Sequence, residues 1–354
     1  MAMEDNMTRR INIVATIALA ALALTGCSAA DQAGGAASTE GAGGTVTILT
    51  HDSFVITDEQ IASFEEQSGY TLQTTAPGDA GVVTNQLVLS GDSPTVDGVY
   101  GIENYSTQTL LDAGALASYE SPDLPESAAS LMIEDKLTPI DQGQVCINID
   151  HAWFEENGVA EPTTLDDLTK PEYASLLVTM NPATSSPGLA FLVATITEKG
   201  DDWENYWQQL LDGGTKVVSG WSDAYFVDFS GAEGAGEYPL VLSYSSSPAE
   251  ADGRTGVLET SCTPQVEYAG VVEGAANPAG AQAFIDFLLS DEFQSGVAEN
   301  MYMYPVNSEV ALPETWAQHA TLVDAPIEPN LKDVAANRDA WIADWTTLFE
   351  NNAG

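Results

Sequence analysis

The sequence predicts an α/β fold with a largely parallel sheet. Short β-branched segments with alternating apolar residues are followed repeatedly by helical segments, and this order is typical of sheets built from strand–helix–strand units. The chain has 354 residues, of which 44% are hydrophobic, and this length suffices for two domains of ordinary size.

The first elements are a strand at 45–50 and a helix with a clearly marked start. Thr57 is followed three residues later by Gln60, so each side chain can bond a backbone amide in a capping box. Gly69 marks the end of this helix. The alternation then continues with predicted strands at 70–75 and 96–100 and predicted helices at 81–89 and 104–113.

The rest of the chain repeats the pattern. Strands are predicted at 143–149, 176–180, 240–244 and 265–272, and helices at 153–158, 165–168, 189–198 and 203–211. Asn277 and Pro278 open a further helix, and Trp341 and Trp345 lie on the apolar face of the last one. In an open α/β sheet ligands bind beyond the carboxyl ends of strands, so motifs that follow predicted strands are the candidates for a site.

The N-terminus predicts an export signal. Arg9 and Arg10 precede an apolar run at 11–24 that is short for a transmembrane helix. The run ends in Leu-Thr-Gly-Cys at Cys27, which resembles a bacterial lipobox and implies cleavage before Cys27 and a diacylglyceryl group on its sulfur. The Ala-, Gly- and Ser-rich stretch that follows predicts a flexible tether. Ordinary secretion with an incidental cysteine is the alternative.

Charge and missing motifs exclude several function classes. The chain has 9 basic and 53 acidic residues, a formal charge of −44, which argues against nucleic-acid binding and against attraction to an anionic membrane surface. No phosphate loop, Gly-x-Ser-x-Gly elbow or His-Glu-x-x-His motif occurs. The sequence therefore predicts no enzyme, cofactor or metal site, although a carboxylate pair for glycoside hydrolysis stays open.

Two cysteines remain once Cys27 is set aside. In an exported chain Cys146 and Cys262 most simply form one disulfide. The alternative is two buried free thiols.

Two segments combine aromatic rings with acids and hydroxyls. Trp-Ser-Asp-Ala-Tyr at 221–225 and Leu-Ser-Tyr-Ser-Ser-Ser-Pro at 242–248 lie close together in the chain. Aromatic faces attract a cation by about 0.5–2 kcal/mol, so rings beside carboxylates suit a flat organic cation. The alternative is that these rings belong to the core.

Three more motifs narrow the interpretation: Thr-Ser-Ser-Pro-Gly-Leu at 184–189, Met-Tyr-Pro-Val at 303–306 and Gly-Ile-Glu-Asn at 101–104. Together with the aromatic segments, over roughly 45–349, they resemble the thiamine-binding proteins of bacterial thiamine ABC transporters. The resemblance implies a two-lobed periplasmic-binding-protein-like fold (type II) with a ligand cleft between the lobes. It implies a monomer, lipid-anchored at the extracytoplasmic face of the cell membrane, that delivers thiamine, a thiamine phosphate or a related flat cation to an ABC permease. The implied organisation is a signal peptide at 1–26, a tether at 27–44, lobe one at 45–143 plus 266–308, lobe two at 144–265, and C-terminal helices at 309–354.

The resemblance also implies a set of binding residues. Lobe two would line the cleft with Trp221, Tyr225 and Tyr244, while Ser185 and Ser186 would hold the hydroxyethyl or phosphate end of the ligand near a helix start. The remaining candidates are the acids Glu103 and Asp223 together with Tyr302 and His51. Glu103 stands where the family has an Asp, Tyr302 where it has a Trp, and His51 where it has a Tyr. An acid favoured by the helix dipole is the alternative for Glu103, and a turn or cap residue the alternative for Asp223.

Other ligands and classes stay open. A ferric-iron binder has the same architecture and usually places two neighbouring tyrosines on the metal, but Tyr302 and Tyr304 should point to opposite faces. Another small solute, or a structural or adhesive surface lipoprotein, is the remaining alternative.

Overall fold

The computed structural model describes residues 43–232 and 236–352. Its strands are β1 Thr45–Leu49, β2 Thr71–Thr75, β3 Gly98–Glu103, β4 Leu116–Ala117, β5 Thr138–Asp150, β6 Leu177–Met180, β7 Lys216–Val218, β8 Leu240–Tyr244, β9 Thr255–Val272 and β10 Tyr304–Pro305. Its α-helices are α1 Asp58–Ser68, α2 Ala80–Ser90, α3 Thr107–Asp112, α4 His151–Asn157, α5 Pro171–Ala174, α6 Ser186–Lys199, α7 Trp203–Asp212, α8 Ser247–Glu250, α9 Pro278–Leu289, α10 Asp291–Gln294, α11 Val297–Met301, α12 Glu314–His319 and α13 Leu331–Asn352. Glu126–Leu131, Leu165–Thr169 and Gly200–Asp202 are 3₁₀ helices, and Asp223–Asp228 forms a π-helix.

The strands form one mixed sheet in the order β2-β1-β3-β9-β5-β8-β6-β7, with β4 paired to β9 and β10 to β5. β1 is parallel to β2 and β3, and β6 is parallel to β7 and β8. The central pairs, β3–β9, β5–β9 and β5–β8, are antiparallel. The prediction of a largely parallel sheet therefore holds only for the outer strands, because two long strands run in opposite directions through the middle.

These two strands join two lobes. We call the half that carries β1–β3, with helices α1–α3 and α9–α11, the first lobe, and the half that carries β6–β8, with α5–α7, the second lobe. β5 and β9 pair from Thr138↔Ala269 to Asp150↔Thr255 and so extend from one lobe into the other. The predicted lobe boundaries, at 143/144 and 265/266, fall inside these strands and stay predictions.

A disulfide links the two crossing strands. Cys146 of β5 and Cys262 of β9 are bonded, with their Cα atoms 4.2 Å apart. The bond lies where the pairing shifts register, between Val145 and Ile147. The pairing expected from the cysteine count is therefore formed at the connection between the lobes.

Local signals placed most elements correctly. The capping box at Thr57 and Gln60 is present, Asn277 caps α9, and strand 240–244 has the predicted bounds. α6 begins at Ser186 rather than 189, because Pro187 is accommodated in its first turn, where no backbone N–H is needed. β9 begins at Thr255 rather than 265, since its partner β5 continues the pairing to Asp150.

The C-terminal helix α13 packs on the second lobe through aromatic side chains. Trp345 meets Trp207 of α7 edge to face with ring centroids 5.4 Å apart. Within the described ranges, the helices are all too short or too polar to cross a membrane. The predicted signal peptide, the lipidated Cys27 and nearly all of the tether lie outside the described residues.

Candidate functional site

Four predicted aromatic residues converge between the lobes. Trp221 follows β7, and its ring stacks on Tyr225 of the π-helix with centroids 5.1 Å apart and planes inclined by 13°. Tyr244, at the end of β8, lies 5.7 Å from Trp221, and Tyr302, from the first lobe, meets Trp221 edge-on at 5.3 Å. We call these four residues the aromatic cluster. They come together because β7, β8, the π-helix and α11 bring them to the gap between the lobes.

Hydrogen bonds fix the second-lobe rings of this cluster. The indole Nε1 of Trp221 donates to Ser243 Oγ at 2.9 Å, and Ser243 shares a 2.8 Å hydrogen bond with Ser247 Oγ. The phenol of Tyr225 donates to the backbone oxygen of Ser247 at 3.4 Å. The Ser-rich turn after β8 therefore supports the rings, a role that its sequence did not indicate.

The π-helix adds a further ring that was not predicted. Phe226 is partly exposed and lies 5.2 Å from Trp221 and 6.1 Å from Tyr302. π-helices are rare overall, but those that occur are frequently found at functional sites. Here the wide turn presents consecutive residues, Tyr225 and Phe226, to the same ring of Trp221.

His51 belongs to a buried polar network on the first lobe. Its Nε2 lies 3.3 Å from Glu267 Oε2, and its Nδ1 lies 2.9 Å from Ser53 Oγ. Burial alone would lower the pKa of His51, but the Glu267 carboxylate and nearby acids offset it, so this pKa is raised. Burial would raise the pKa of Glu267, yet His51 holds it low. The two side chains therefore form a buried hydrogen-bonded pair in which each favours the charged form of the other.

The network continues onto the crossing strands. Tyr100 donates to Asp141 and lies 3.1 Å from Glu267 Oε2. Burial and the charge of Glu267 raise the pKa of Asp141 well above its usual value. Gln265 Nε2 bonds Glu267 Oε1 at 3.1 Å and Tyr244 Oη at 3.4 Å, which connects this network to the aromatic cluster.

A glycine makes room for His51. Gly101 has φ +91°, a left-handed value that favours glycine, and a Cβ built there would lie 2.1 Å from Cδ2 of His51. The glycine of the Gly-Ile-Glu-Asn motif thus makes the position of His51 possible.

Asp79 is the principal site residue that the sequence did not single out. It is buried at the start of α2, and its carboxylate accepts from the backbone N–H of Ala80 at 2.6 Å and from that of Trp221 at 3.0 Å. The second of these bonds crosses from the first lobe to the second. Burial raises the pKa of Asp79, against the opposing effects of the Ser185 hydroxyl and of His51. The available signal was its position, in the short loop between the end of β2 and the start of α2.

Ser185 and Ser186 are buried at the start of α6, in the second lobe. Ser185 is the N-cap, and its buried hydroxyl makes no hydrogen bond within the described residues. The preceding loop contacts α2, since Gly81 N donates to Thr184 O at 3.0 Å. The predicted serines thus lie where the two lobes meet.

The two predicted acids have different surroundings. The Glu103 carboxylate accepts from the backbone N–H groups of Tyr105 and Ser106 and from the Ser106 hydroxyl, beside α3. Burial raises its pKa, against the charge of Arg338 and these hydrogen bonds. These bonds correspond to the helix-start alternative, and its contact with a ligand stays a prediction. Asp223 is exposed and lines a pocket with Asp79.

Two pockets open between the lobes. One, of about 340 Å³, has the edge of the aromatic cluster on its wall and is lined by Asp52, Ser53, Val55, Trp221, Ser222, Phe226, Glu299, Asn300 and Tyr302. The other, of about 200 Å³, is lined by Asp52, Pro77, Gly78, Asp79, Val82, Thr184, Ser219, Gly220, Ser222 and Asp223. Asp52 and Ser222 border both. The arrangement offers aromatic faces and carboxylates to one small molecule held between the lobes.

Known solute-binding proteins resemble this chain in sequence and in fold. The family model for bacterial extracellular solute-binding proteins matches residues 94–326. The thiamine-binding periplasmic protein of Salmonella typhimurium is 30% identical over 318 residues, covering 85% of this chain and 92% of that protein. That of Escherichia coli is 29% identical over 315 residues, covering 85% and 92%. A solved periplasmic thiamin binding protein superimposes with a TM-score of 0.75 at 27% identity, over 86% of this chain and 96% of its own. A ferric binding protein from Campylobacter jejuni has a TM-score of 0.66 at 18% identity, over 87% and 99%, a likeness of fold alone.

Proposed function

The chain belongs to the family of bacterial extracellular solute-binding proteins, and we propose that it captures thiamine, a thiamine phosphate or a related flat cation for an ABC importer. Relatives and a solved structure named for thiamine binding support this ligand. The family is not an enzyme class, and the role proposed for the site is binding without chemical change.

The observation that carries the proposal is the meeting of aromatic faces and carboxylates in one cleft. Trp221, Phe226 and Tyr302 border the 340 Å³ pocket together with Asp52 and Glu299. Thiamine has a fixed positive charge on its thiazolium ring and amino donors on its pyrimidine. Ring faces attract the cation, and a buried cation is stable only when anions pair with it. A pocket of this size lies within the range of small-molecule sites.

Contacts between the lobes provide a means of holding the ligand. Asp79 accepts from Trp221 N, Gly81 donates to Thr184 O, and the Ser246 hydroxyl donates to the backbone oxygen of Tyr302. All three surround the two pockets. We propose that they form when the lobes close on the ligand and break when it is released to the permease.

The ferric-iron alternative has less support in this chain. Tyr302 belongs to the aromatic cluster, whereas the Tyr304 ring packs against Trp316 at 5.1 Å. The two phenols therefore lie in different surroundings and do not form the tyrosine pair that was considered for iron.

The cellular arrangement is proposed from the N-terminal sequence. The signal peptide and the lipobox at Cys27 favour an extracytoplasmic protein that is lipid-anchored and acts as a monomer beside an ABC permease. Mass spectrometry of the membrane fraction would show a diacylglyceryl group on Cys27, and release of Cys27→Ser into the medium would agree with it. An unmodified, soluble wild-type chain would contradict the anchor.

Titration calorimetry of residues 28–354 tests the ligand. We expect heat of binding with thiamine and none with ferric citrate. Tyr244→Ala should weaken thiamine binding by about 1–2 kcal/mol, because a ring beside the cation is lost. Tyr304→Ala is the matched control and should leave the affinity unchanged. Absence of binding to thiamine and to both of its phosphates would refute the proposed function.

A further inference from the structure

We propose that Glu267 is a positioning residue for ligand capture, which holds side chains on both walls of the cleft without touching the ligand; this inference rests on the proposed function. Glu267 is buried on the crossing strand β9 and belongs to the lining of neither pocket between the lobes. A carboxylate in the interior is costly unless hydrogen bonds satisfy it. The side chains that bind Glu267 therefore indicate its role.

Three polar side chains meet this carboxylate. Its Oε2 lies 3.3 Å from His51 Nε2 and 3.1 Å from Tyr100 Oη, and its Oε1 lies 3.1 Å from Gln265 Nε2. His51 follows β1 and Tyr100 belongs to β3, so both come from the first lobe. Hydrogen bonds to a charged acceptor are about twice as strong as neutral ones. Glu267 therefore fixes these side chains more firmly than a neutral group would.

The contact with Gln265 sets which way its amide is turned. A carboxylate only accepts hydrogen bonds, so the amide presents its NH₂ group to Glu267. The same nitrogen lies 3.4 Å from Tyr244 Oη, whereas the buried Gln265 Oε1 has no hydrogen-bond partner within the described residues. The amide is therefore held by Glu267 and not by its own oxygen. Because Gln265 Nε2 donates to the phenol oxygen of Tyr244, the O–H of that phenol is turned away from Gln265 and is left for the ligand.

The contact with His51 acts on the opposite wall. His51 Nδ1 lies 2.9 Å from Ser53 Oγ, and Ser53 lines the larger pocket. Burial lowers the pKa of His51, but the Glu267 carboxylate outweighs this effect together with Asp79 and Asp52, so the pKa is raised. Without Glu267, burial would favour a neutral ring that meets Ser53 with a different set of hydrogen bonds.

Calorimetry with thiamine on Glu267→Gln tests the proposal. The variant keeps the size of the side chain but can turn an NH₂ group toward His51 and Gln265. The dissociation constant should therefore rise at least about tenfold, as for the loss of a hydrogen bond to a charged group. NMR titration of the His51 ring should give a lower pKa than in the wild type, a change that a general loss of stability would not produce. Glu259→Gln is the matched control, because Glu259 is exposed on the same strand, and it should bind as the wild type does.

A second experiment concerns the contact with Tyr244 alone. Gln265→Leu leaves His51 and Glu267 in place and should raise the dissociation constant for thiamine at least about threefold. In Tyr244→Phe, which lacks the hydroxyl that Gln265 binds, the same substitution should have almost no effect. Such non-additivity identifies positioning through Tyr244, because a general loss of stability would weaken binding in both backgrounds alike.

The outcomes separate the inference from the proposed function. If Glu267→Gln and Gln265→Leu bind thiamine like the wild type, Glu267 does not position the cleft, and the inference fails while the proposed function stands. Additive effects of Gln265→Leu and Tyr244→Phe would also overturn the inference, and this cycle decides alone if Glu267→Gln does not fold. If the wild type binds neither thiamine nor its phosphates, the proposed function is wrong and the inference falls with it.

Discussion

Replacing Gly81 by alanine should weaken ligand binding without weakening the fold. Gly81 lies in the first turn of α2, and its N–H donates to Thr184 O of the second lobe at 3.0 Å. A Cβ at this position would lie 2.7 Å from the carbonyl carbon of Thr184 and 2.8 Å from Ala183 O. These are backbone atoms of the other lobe, so the substitution acts on closure.

The magnitude follows from these distances. Ordinary contacts of a Cβ begin near 3.4 Å, so the lobes must separate by about 0.7 Å at this point, which weakens the Gly81–Thr184 hydrogen bond. Overpacking of this kind costs about 1–3 kcal/mol, and a lost hydrogen bond about 0.5–1.5 kcal/mol. If only the closed form bears these costs, the overpacking alone raises the dissociation constant for thiamine by roughly 5- to 150-fold, and the weakened hydrogen bond adds to this. Within α2 itself alanine is a better helix former than glycine.

Two measurements check this reasoning. Calorimetry with thiamine should show the weaker binding of Gly81→Ala. Urea unfolding of the ligand-free protein should show that its free energy of unfolding lies within about 1 kcal/mol of the wild-type value or above it. Gly44→Ala is the matched control, because a Cβ there has its nearest neighbour, Asn277 Nδ2, at 4.0 Å. Wild-type affinity in Gly81→Ala would show that the ligand is not held by closure at α2.

Three further predictions concern the cap, the disulfide and the buried acid. Asp79→Ala removes an acceptor that bridges the lobes and should raise the dissociation constant for thiamine at least tenfold in calorimetry. The control Asp150→Ala removes the N-cap of α4, so it should lower the free energy of unfolding by about 1 kcal/mol and leave the dissociation constant unchanged. Equal effects of the two variants on binding would contradict this prediction. Replacing Cys146 and Cys262 by serine should lower the free energy of unfolding in urea by about 2–5 kcal/mol, because the disulfide closes a loop across a separation of 116 residues; an unchanged unfolding midpoint would count against it. The raised pKa of Asp141 means that the folded state holds a proton that the unfolded chain releases near pH 4, so this contribution to stability is lost as pH rises from about 4 through the folded pKa. Asp141→Asn should therefore gain stability relative to the wild type as pH rises above about 4, and parallel pH profiles of the free energy of unfolding would refute this.

The sequence predicted the aromatic part of the site because that part follows a general rule. Tyr244 ends a strand that was predicted, and carboxyl ends of strands in an open sheet face a common gap. Trp221 was singled out by its motif instead, because the short strand β7 that precedes it was not predicted. Ser185 and Ser186 came from the family resemblance, whereas the helix itself was predicted to begin only at 189. Local signals were sufficient for Trp221 and Tyr244, since their positions depend on short segments rather than on distant pairings.

The polar part of the site could not be predicted in the same way. Asp79 has the sequence pattern of an ordinary helix cap, and only the approach of the second lobe turns its second oxygen toward Trp221 N. Asp141 and Glu267 lie inside the long strands β5 and β9, where the alternation of side chains gives no sign of a buried acid. Their proximity depends on the antiparallel crossing, which the prediction of a largely parallel sheet did not include.

The crossing strands also connect the disulfide to the ligand cleft. Cys146 pairs across the sheet with Ser243, and the Ser243 hydroxyl accepts from the indole of Trp221. On β9, Gln265 joins Glu267 to the phenol of Tyr244, which ends β8. A rotation of the lobes about β5 and β9 must therefore act on the aromatic cluster and on the His51–Glu267 pair together. Because the disulfide fixes the two strands to each other between these groups, closure is expected to bring both walls of the cleft to the ligand in one movement.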